Sequence, residues 1–187
     1  MFQKVSQEEV FKGSFLKVVR ARYETSDQIV VEREYIVHPG AVTVVPVDEE
    51  NVAYALWQFR APVGKEIFEV CAGKRDVEGE PPSITAEREL QEEMGFTASQ
   101  IIHLGSFFNS PGICDEQTEI YLALGLQKTQ ASPQSPEERL MRVASFNLDQ
   151  VPRLIAEGII LDAKTIVTLY AAINYLKLRG DSVAKEN

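Results

Sequence analysis

Gly73-Lys74-Arg75-Asp76-Val77-Glu78-Gly79-Glu80 runs into Pro81-Pro82-Ser83-Ile84-Thr85-Ala86-Glu87 and then Arg88-Glu89-Leu90-Gln91-Glu92-Glu93-Met94-Gly95-Phe96. Ile84 to Met94 contains neither Gly nor Pro, Ser83 is an N-cap candidate, and Gly95 stands where a helix would end, so the spacing predicts a helix over 84–94. On it Glu89, Glu92 and Glu93 fall at i, i+3 and i+4, three carboxylates on one face within about 5–6 Å of one another. Like charges so spaced destabilise a helix unless a cation joins them. A hard divalent ion with oxygen ligands meets that need, and Mg²⁺ commonly takes one or two carboxylates while sharing its other positions with water and substrate phosphates. The plain alternative is a solvated acidic surface. Leu90 and Met94, with Ile84 and Ala86, form the apolar side expected to face a core.

The chain has 187 residues, 44% of them hydrophobic, enough for one sizeable core. Its 28 acidic against 19 basic residues and pI near 4.8 argue against nucleic-acid or anionic-membrane partners. They do not exclude phosphate substrates, because a cation and a few arginines reverse the field locally. Neither a bilayer-length apolar run nor a basic-then-apolar leader over residues 1–20 is present, and Cys71 and Cys114 form no CxxC pair. A cytoplasmic protein with free thiols is expected.

Strands are expected over 15–23 and 29–37, joined by the polar turn 24–28. His38-Pro39-Gly40 marks a turn, with His38 read as a turn residue bonded to backbone rather than a catalytic group. The runs 41–47 and 52–59 read as a hairpin over the acidic connection Asp48-Glu49-Glu50-Asn51. Strands follow at 101–108, 119–126 and 140–147, with a linker-like stretch over 127–139. A short helix is expected over 148–157, then a closing helix capped by Asp162, carrying Ile166, Leu169, Tyr170, Ile173 and Leu176 inward and ending at Gly180. This order implies an α/β domain, a mixed sheet covered by helices, over 41–180, with an N-terminal β-subdomain over 1–40 and a frayed tail over 181–187.

The pattern from Gly73 to Phe96 resembles the Nudix box: Gly, five residues, Glu, seven residues, then Arg-Glu-apolar-any-Glu-Glu-any-Gly-apolar. Every fixed position from Glu80 to Phe96 matches; six residues rather than five separate Gly73 from Glu80. The resemblance implies a hydrolase of nucleoside-linked diphosphates with a Nudix-type α/β/α sandwich. Glu32-Arg33-Glu34-Tyr35 before His38-Pro39-Gly40-Ala41-Val42, Gln58-Phe59-Arg60, Glu69-Val70-Cys71-Ala72-Gly73, and Pro111 sixteen residues beyond Gly95 are similar to the ADP-ribose pyrophosphatase branch. Cys71 stands where that branch often has proline.

Carried over, the resemblance gives Glu89, Glu92, Glu93 and the Ala72 carbonyl to Mg²⁺ (Mn²⁺ as the alternative), and Glu80 with Arg88 to their support. It gives substrate contacts to Arg33 and Arg60, whose guanidinium groups suit a diphosphate, and the pocket wall to Glu69, Pro111, Gly112 and Glu116. A glutamate of the 127–139 loop, Glu137 or Glu138, would assist the attacking water when substrate binds. The expected substrate is a nucleoside diphosphate sugar, ADP-ribose first, cleaved to AMP and ribose 5-phosphate. The expected assembly is a homodimer that exchanges its N-terminal β-subdomain. A different sugar nucleotide, a dinucleotide, or a non-catalytic ADP-ribose sensor are the alternatives; the full set of box carboxylates favours an enzyme over the sensor.

Overall fold

The computed structural model describes residues 1–185, with side chains described as far as Gly180. The described chain divides into two compact units: Met1–Gly40 with Phe108–Gln117, and Ala41–Phe107 with Thr118 onward.

The first unit is a three-stranded antiparallel meander of β1 (Gln3–Lys12), β2 (Lys17–Glu24) and β3 (Val30–Val37), in the order β1-β2-β3. Strand β2 falls where alternating polarity predicted it and β3 where β-branched residues did, whereas β1, exposed along its whole length, carries no buried alternation to announce it. The 109–116 loop belongs to this unit because Ile36 exchanges backbone bonds with it: Ile36 N–H donates to Ile113 O (2.9 Å) and Asp115 N–H to Ile36 O (3.2 Å). His38 is the turn residue anticipated, its Nδ1 accepting from Gly40 N–H at 3.1 Å.

The second unit is built around β4 (Ala41–Pro46), all six residues of which are buried. A strand buried on both faces and paired on both edges lies at the centre of a sheet. Its partners are β7 (Cys71–Lys74), antiparallel, and β9 (Gln117–Lys128), parallel, in a four-stranded sheet of order β7-β4-β9-β8, with β8 at Phe96–Phe108. A separate antiparallel sheet holds β5 (Val52–Arg60) between β6 (Lys65–Glu69) and β10 (Arg142–Asn147). The expected 41–59 hairpin therefore does not form. The Asp48–Asn51 turn exists, with Asn51 at φ 59° and the Asp48 carboxylate accepting from Glu50 and Val52, but the strands part after the single bridge Val47–Ala53. Each leaves for better partners: β4 for a parallel neighbour, β5 for two antiparallel ones.

Alternation along β4 sets the layers. Val42 and Val44 pack with Ala86, Leu90 and Met94 of α1 (Pro82–Met94), while Val45 packs with Leu169 and Ala172 of α3 (Ala163–Lys185). Between β4 and α3, Thr43 Oγ1 meets Thr168 Oγ1 at 2.8 Å, so this buried polar pair is satisfied. Helix α2 (Val151–Ala156) follows a 3₁₀ turn over Leu148–Gln150.

Four expectations about helices are corrected. Ser83 does not cap α1: Pro82 occupies the first helical position, where its missing N–H costs nothing, and the Pro81 carbonyl accepts from Thr85 N–H at 3.1 Å. Ile84 is 46% exposed, its place on the buried face taken by Thr85. Gly180 does not end α3, which runs on to Lys185, and within α3 Tyr170 is exposed while Thr165, Thr168 and Ala172 are buried. One Gly costs a helix only about 1 kcal/mol against Ala, too little to stop it where nothing else does. Of the expected frayed tail, residues 181–185 continue this helix and residues 186–187 lie outside the described residues.

Candidate active site

Helix α1 delivers its carboxylates to strand β7. Gly95 closes it in the left-handed conformation (φ 66°), its N–H bonding to the Gln91 and Leu90 carbonyls, and Leu90 and Met94 fix its roll against the sheet. Glu89 then lies directly over Gly73: a β-carbon at residue 73 would overlap the Glu89 carboxyl, which is the physical reason for glycine there. Glu93 reaches the preceding residues, accepting from Ala72 N–H at 3.3 Å and from the Cys71 thiol.

Arg88 is the hub of the charged face. Its Nε and Nη2 donate to the two oxygens of Glu80 (3.3 and 3.2 Å), and its Nη1 donates to Glu89 (2.9 Å) and Glu92 (3.2 Å). Thr85 Oγ1 adds a bond to Glu80 at 2.7 Å, and with Arg88 holds that carboxyl below its ordinary range. The guanidinium is raised in turn, chiefly by its bond to Glu80.

Glu93 has the opposite environment. Burial is the main force pushing its pKa up to about 8, and the charges of Glu89 and Glu138 add to it against the bonds from Cys71 and Ala72. Burial likewise raises Glu89, with Arg88 opposing. Cys71, fully buried beside these acids, is raised strongly by burial and then by the charge of Glu93.

This arrangement fits a hard divalent cation. A partly buried carboxylate with no salt-bridge partner among the described residues, beside two more carboxylates, is an oxygen-rich site short of positive charge. Among the described residues no three acidic, His or Cys side chains already stand as a ready ligand set, because Arg88 holds Glu89 and Glu92 to itself.

A second polar group lies within the same unit. Arg60, at the end of β5, makes a bidentate pair with Glu69 at the end of β6 (2.8 and 2.8 Å). Lys164 Nζ sits 3.7 Å from Glu69 and 2.6 Å from Asp162, whose carboxylate caps α3 by accepting Thr165 N–H and Oγ1 at 2.8 Å. Glu69 is thus buried between two cations, with Arg60 bound to it through both oxygens. The Glu69 bond raises the Arg60 guanidinium first and the charge of Glu93 contributes, which places Arg60 on the side of the box carboxylates. Lys164 was not singled out in the sequence; its only signal is its place two residues after the capping Asp162.

The 129–140 segment is tied to the end of α1: Thr129 N–H donates to Gly95 O (2.8 Å) and Ser132 N–H to Glu92 O (3.0 Å). Of the two candidate acids, Glu138 is half-buried and its charge is felt by both Glu89 and Glu93; Glu137 is exposed.

The remaining candidates belong to the first unit. Arg33, Pro111 and Gly112 line a cleft of about 500 Å³ together with Tyr23, Tyr35 and Phe108. Arg33 Nη1 donates to Glu32 O at 2.7 Å. Glu116 is not among the lining residues; its N–H donates to Cys114 Sγ at 3.3 Å.

Comparison with known proteins places this geometry. The NUDIX domain model matches residues 37–166. A methanol dehydrogenase activator of Bacillus methanolicus is 35% identical over 94% of this chain and 92% of its own. ADP-ribose pyrophosphatases of Bacillus subtilis (33%; 94% and 92%) and Mycobacterium tuberculosis (32%; 91% and 82%) are similar over nearly the same span. In fold, the crystal structure of an ADP compounds hydrolase superposes with a TM-score of 0.83 at 19% identity, covering 96% of each chain. On the family model and on these relatives, the chain belongs to the NUDIX family.

Proposed function

We propose that this protein hydrolyses the diphosphate of ADP-ribose, giving AMP and ribose 5-phosphate. The observation that carries the reading is the trio Glu89, Glu92 and Glu93 on one face of α1, the last packed against Ala72 of β7 with no salt-bridge partner among the described residues. The relatives named ADP-ribose pyrophosphatase support the choice of substrate. NUDIX hydrolases generally use a divalent metal; here Glu89, Glu92, Glu93 and the Ala72 carbonyl would hold it, with Mg²⁺ first and Mn²⁺ second. Bound there, it would withdraw charge from the diphosphate bridge, orient the water and stabilise the leaving phosphate.

The chain's own groups do the rest. Arg88 and Glu80 keep the carboxylate face in register. Arg60, fixed by Glu69, pairs with diphosphate oxygens, and Arg33 serves the same substrate. Glu138 takes a proton from the water as its oxygen bonds to one phosphorus; the bridging P–O bond breaks and its electron pair leaves with the other phosphate. Glu138 rather than Glu137 is given this role because it is half-buried and its charge is felt at Glu89 and Glu93, whereas Glu137 is exposed.

A homodimer in the cytoplasm completes the reading. Phe2, Phe11 and Phe15 of the first unit are 52, 55 and 61% exposed, apolar area that a second copy would cover. Among the described residues no helix is long and apolar enough to cross a membrane. Sedimentation would show twice the chain mass for a dimer; a single-chain mass would remove it.

The substrate test is a product assay with Mg²⁺ on ADP-ribose, GDP-mannose, dinucleoside polyphosphates and nucleoside triphosphates. AMP and ribose 5-phosphate from ADP-ribose, faster than products from the others, is the expected result. Preference for another member of the panel moves the assignment to that substrate. Tight ADP-ribose binding without any product would make the protein a sensor.

A further inference from the structure

Glu138 is held by its neighbours rather than by the body of the fold. Ser135 Oγ donates to Glu138 Oε1 at 2.8 Å, Gln134 N–H donates to Oε2 at 2.5 Å, and Ser135 Oγ accepts from Glu138 N–H at 3.2 Å. Within Ser135-Pro136-Glu137-Glu138, leading into the 3₁₀ turn Glu138–Leu140, the Ser135 hydroxyl thus bonds both the backbone and the carboxylate of Glu138. Both bonds depend on that one hydroxyl. The tethers at Thr129 and Ser132 fix where the segment leaves α1, and among the described residues it is the Ser135 and Gln134 bonds that fix the direction of the carboxylate. An ionised carboxylate offers about four lone-pair sites, so two accepted bonds leave capacity for a water proton.

We propose that Ser135 is a positioning residue for the hydrolytic reaction: its hydroxyl aims the Glu138 carboxylate and thereby selects Glu138 over the adjacent Glu137 as the base. The inference rests on the hydrolase reading above, and it adds a residue whose side chain touches neither the substrate nor the box carboxylates. A Ser135 that only stabilised the loop would affect folding or substrate binding. A Ser135 that aims the base affects the chemical step and acts through Glu138 alone.

The experiment measures kcat and KM for ADP-ribose with Mg²⁺ in the full chain and in Ser135→Ala, Ser135→Thr, Glu137→Gln, Glu138→Gln and the double variant Ser135→Ala/Glu138→Gln, with unfolding midpoints as controls. Ser135→Ala is expected to lower kcat by about 10–100-fold, the scale of one hydrogen bond to a charged group, with KM little changed. Ser135→Thr, which keeps the hydroxyl, recovers most of that loss, and the double variant is no slower than Glu138→Gln. Wild-type kcat in Ser135→Ala, a loss confined to KM, failure of Thr to rescue, or multiplying losses in the double variant would each overturn the proposal. If Glu138→Gln itself turns over normally, the base assignment is wrong and the positioning role goes with it. If Glu138→Gln is slow while Ser135→Ala is not, only the positioning role fails.

Discussion

The proposed site draws its acids from two differently built regions. On α1, direction comes from the global core: Leu90 and Met94 lock the helix roll, so Glu89, Glu92 and Glu93 point where the backbone period sends them. On the 129–140 segment, direction comes from bonds spanning three or four residues, and the segment meets α1 through two backbone tethers. Groups that must hold an ion continuously gain from the first kind of support, and a group needed only when substrate is present can rely on the second.

The largest effect should follow from breaking the helix side. Glu93→Gln removes the buried charge but keeps its volume and its capacity to accept from Ala72 N–H, so the fold survives. Turnover is expected to fall by at least about 100-fold, with weakened Mg²⁺ binding by calorimetry. Near-normal turnover would show that the helix carboxylates are a solvated acidic surface after all. Unfolding should become no easier, because neutralising a carboxylate that burial disfavours relieves a cost.

The same division governs how much could be read beforehand. The α1 carboxylates were legible because helical spacing alone brings Glu89, Glu92 and Glu93 to one side, and Gly95 marked the end correctly. Arg60 and Glu69 were both singled out, yet their pairing was not, because it joins the ends of two strands whose register no local pattern states. The false hairpin at 41–59 has the same origin: alternation identifies strands but not partners, and a buried β4 prefers neighbours from distant sequence. Glu137 and Glu138 were indistinguishable in the sequence; the Ser-x-x-Glu bond that separates them required coordinates. Cys71 was read as a loop departure, whereas its thiol bonds to Glu93, a contact set by the β7 register.

Next in size is the point where helix carboxylate and strand β7 meet. Gly73→Ala puts a methyl onto the Glu89 carboxyl, so that side chain or the strand must move. A displacement on the order of 1 Å at a reacting site costs roughly 100-fold in rate. Loss of kcat without loss of secondary structure by circular dichroism is the expected outcome; unchanged kcat would mean that Glu89 can leave its present position without consequence.

Gly95→Ala tests the junction of the two regions. Residue 95 has φ 66°, and a β-carbon there would lie 2.9 Å from Thr129 O and 3.0 Å from Ala131 N. The left-handed conformation alone costs a non-glycine residue about 1–2 kcal/mol, and the backbone of the tethered segment must also give way. A fall in thermal midpoint together with a fall in kcat is expected, because the segment that carries Glu138 is displaced from the helix end. A stability loss with full kcat would show that the tethers at Thr129 and Ser132 are not needed to deliver the loop acid, and would make the two regions independent.

The smallest effect concerns the charge network that steadies the helix side without touching the loop. The Glu80 carboxyl is held low by its bonds from Arg88 and then Thr85, so its folded-state pKa lies below its unfolded one. A depressed carboxylate contributes stability that is present above the unfolded value, about 4.3 for glutamate, and is lost as pH falls through the folded value. The thermal midpoint of the wild type should therefore decline on acidification through that window by more than the midpoint of Glu80→Gln, whose amide cannot titrate. The two curves should converge toward the acid end, where the wild-type carboxyl is protonated as well. Parallel curves would mean that Arg88 is held by Glu89 and Glu92 alone, and that the register of the carboxylate face does not depend on the residue that begins this network.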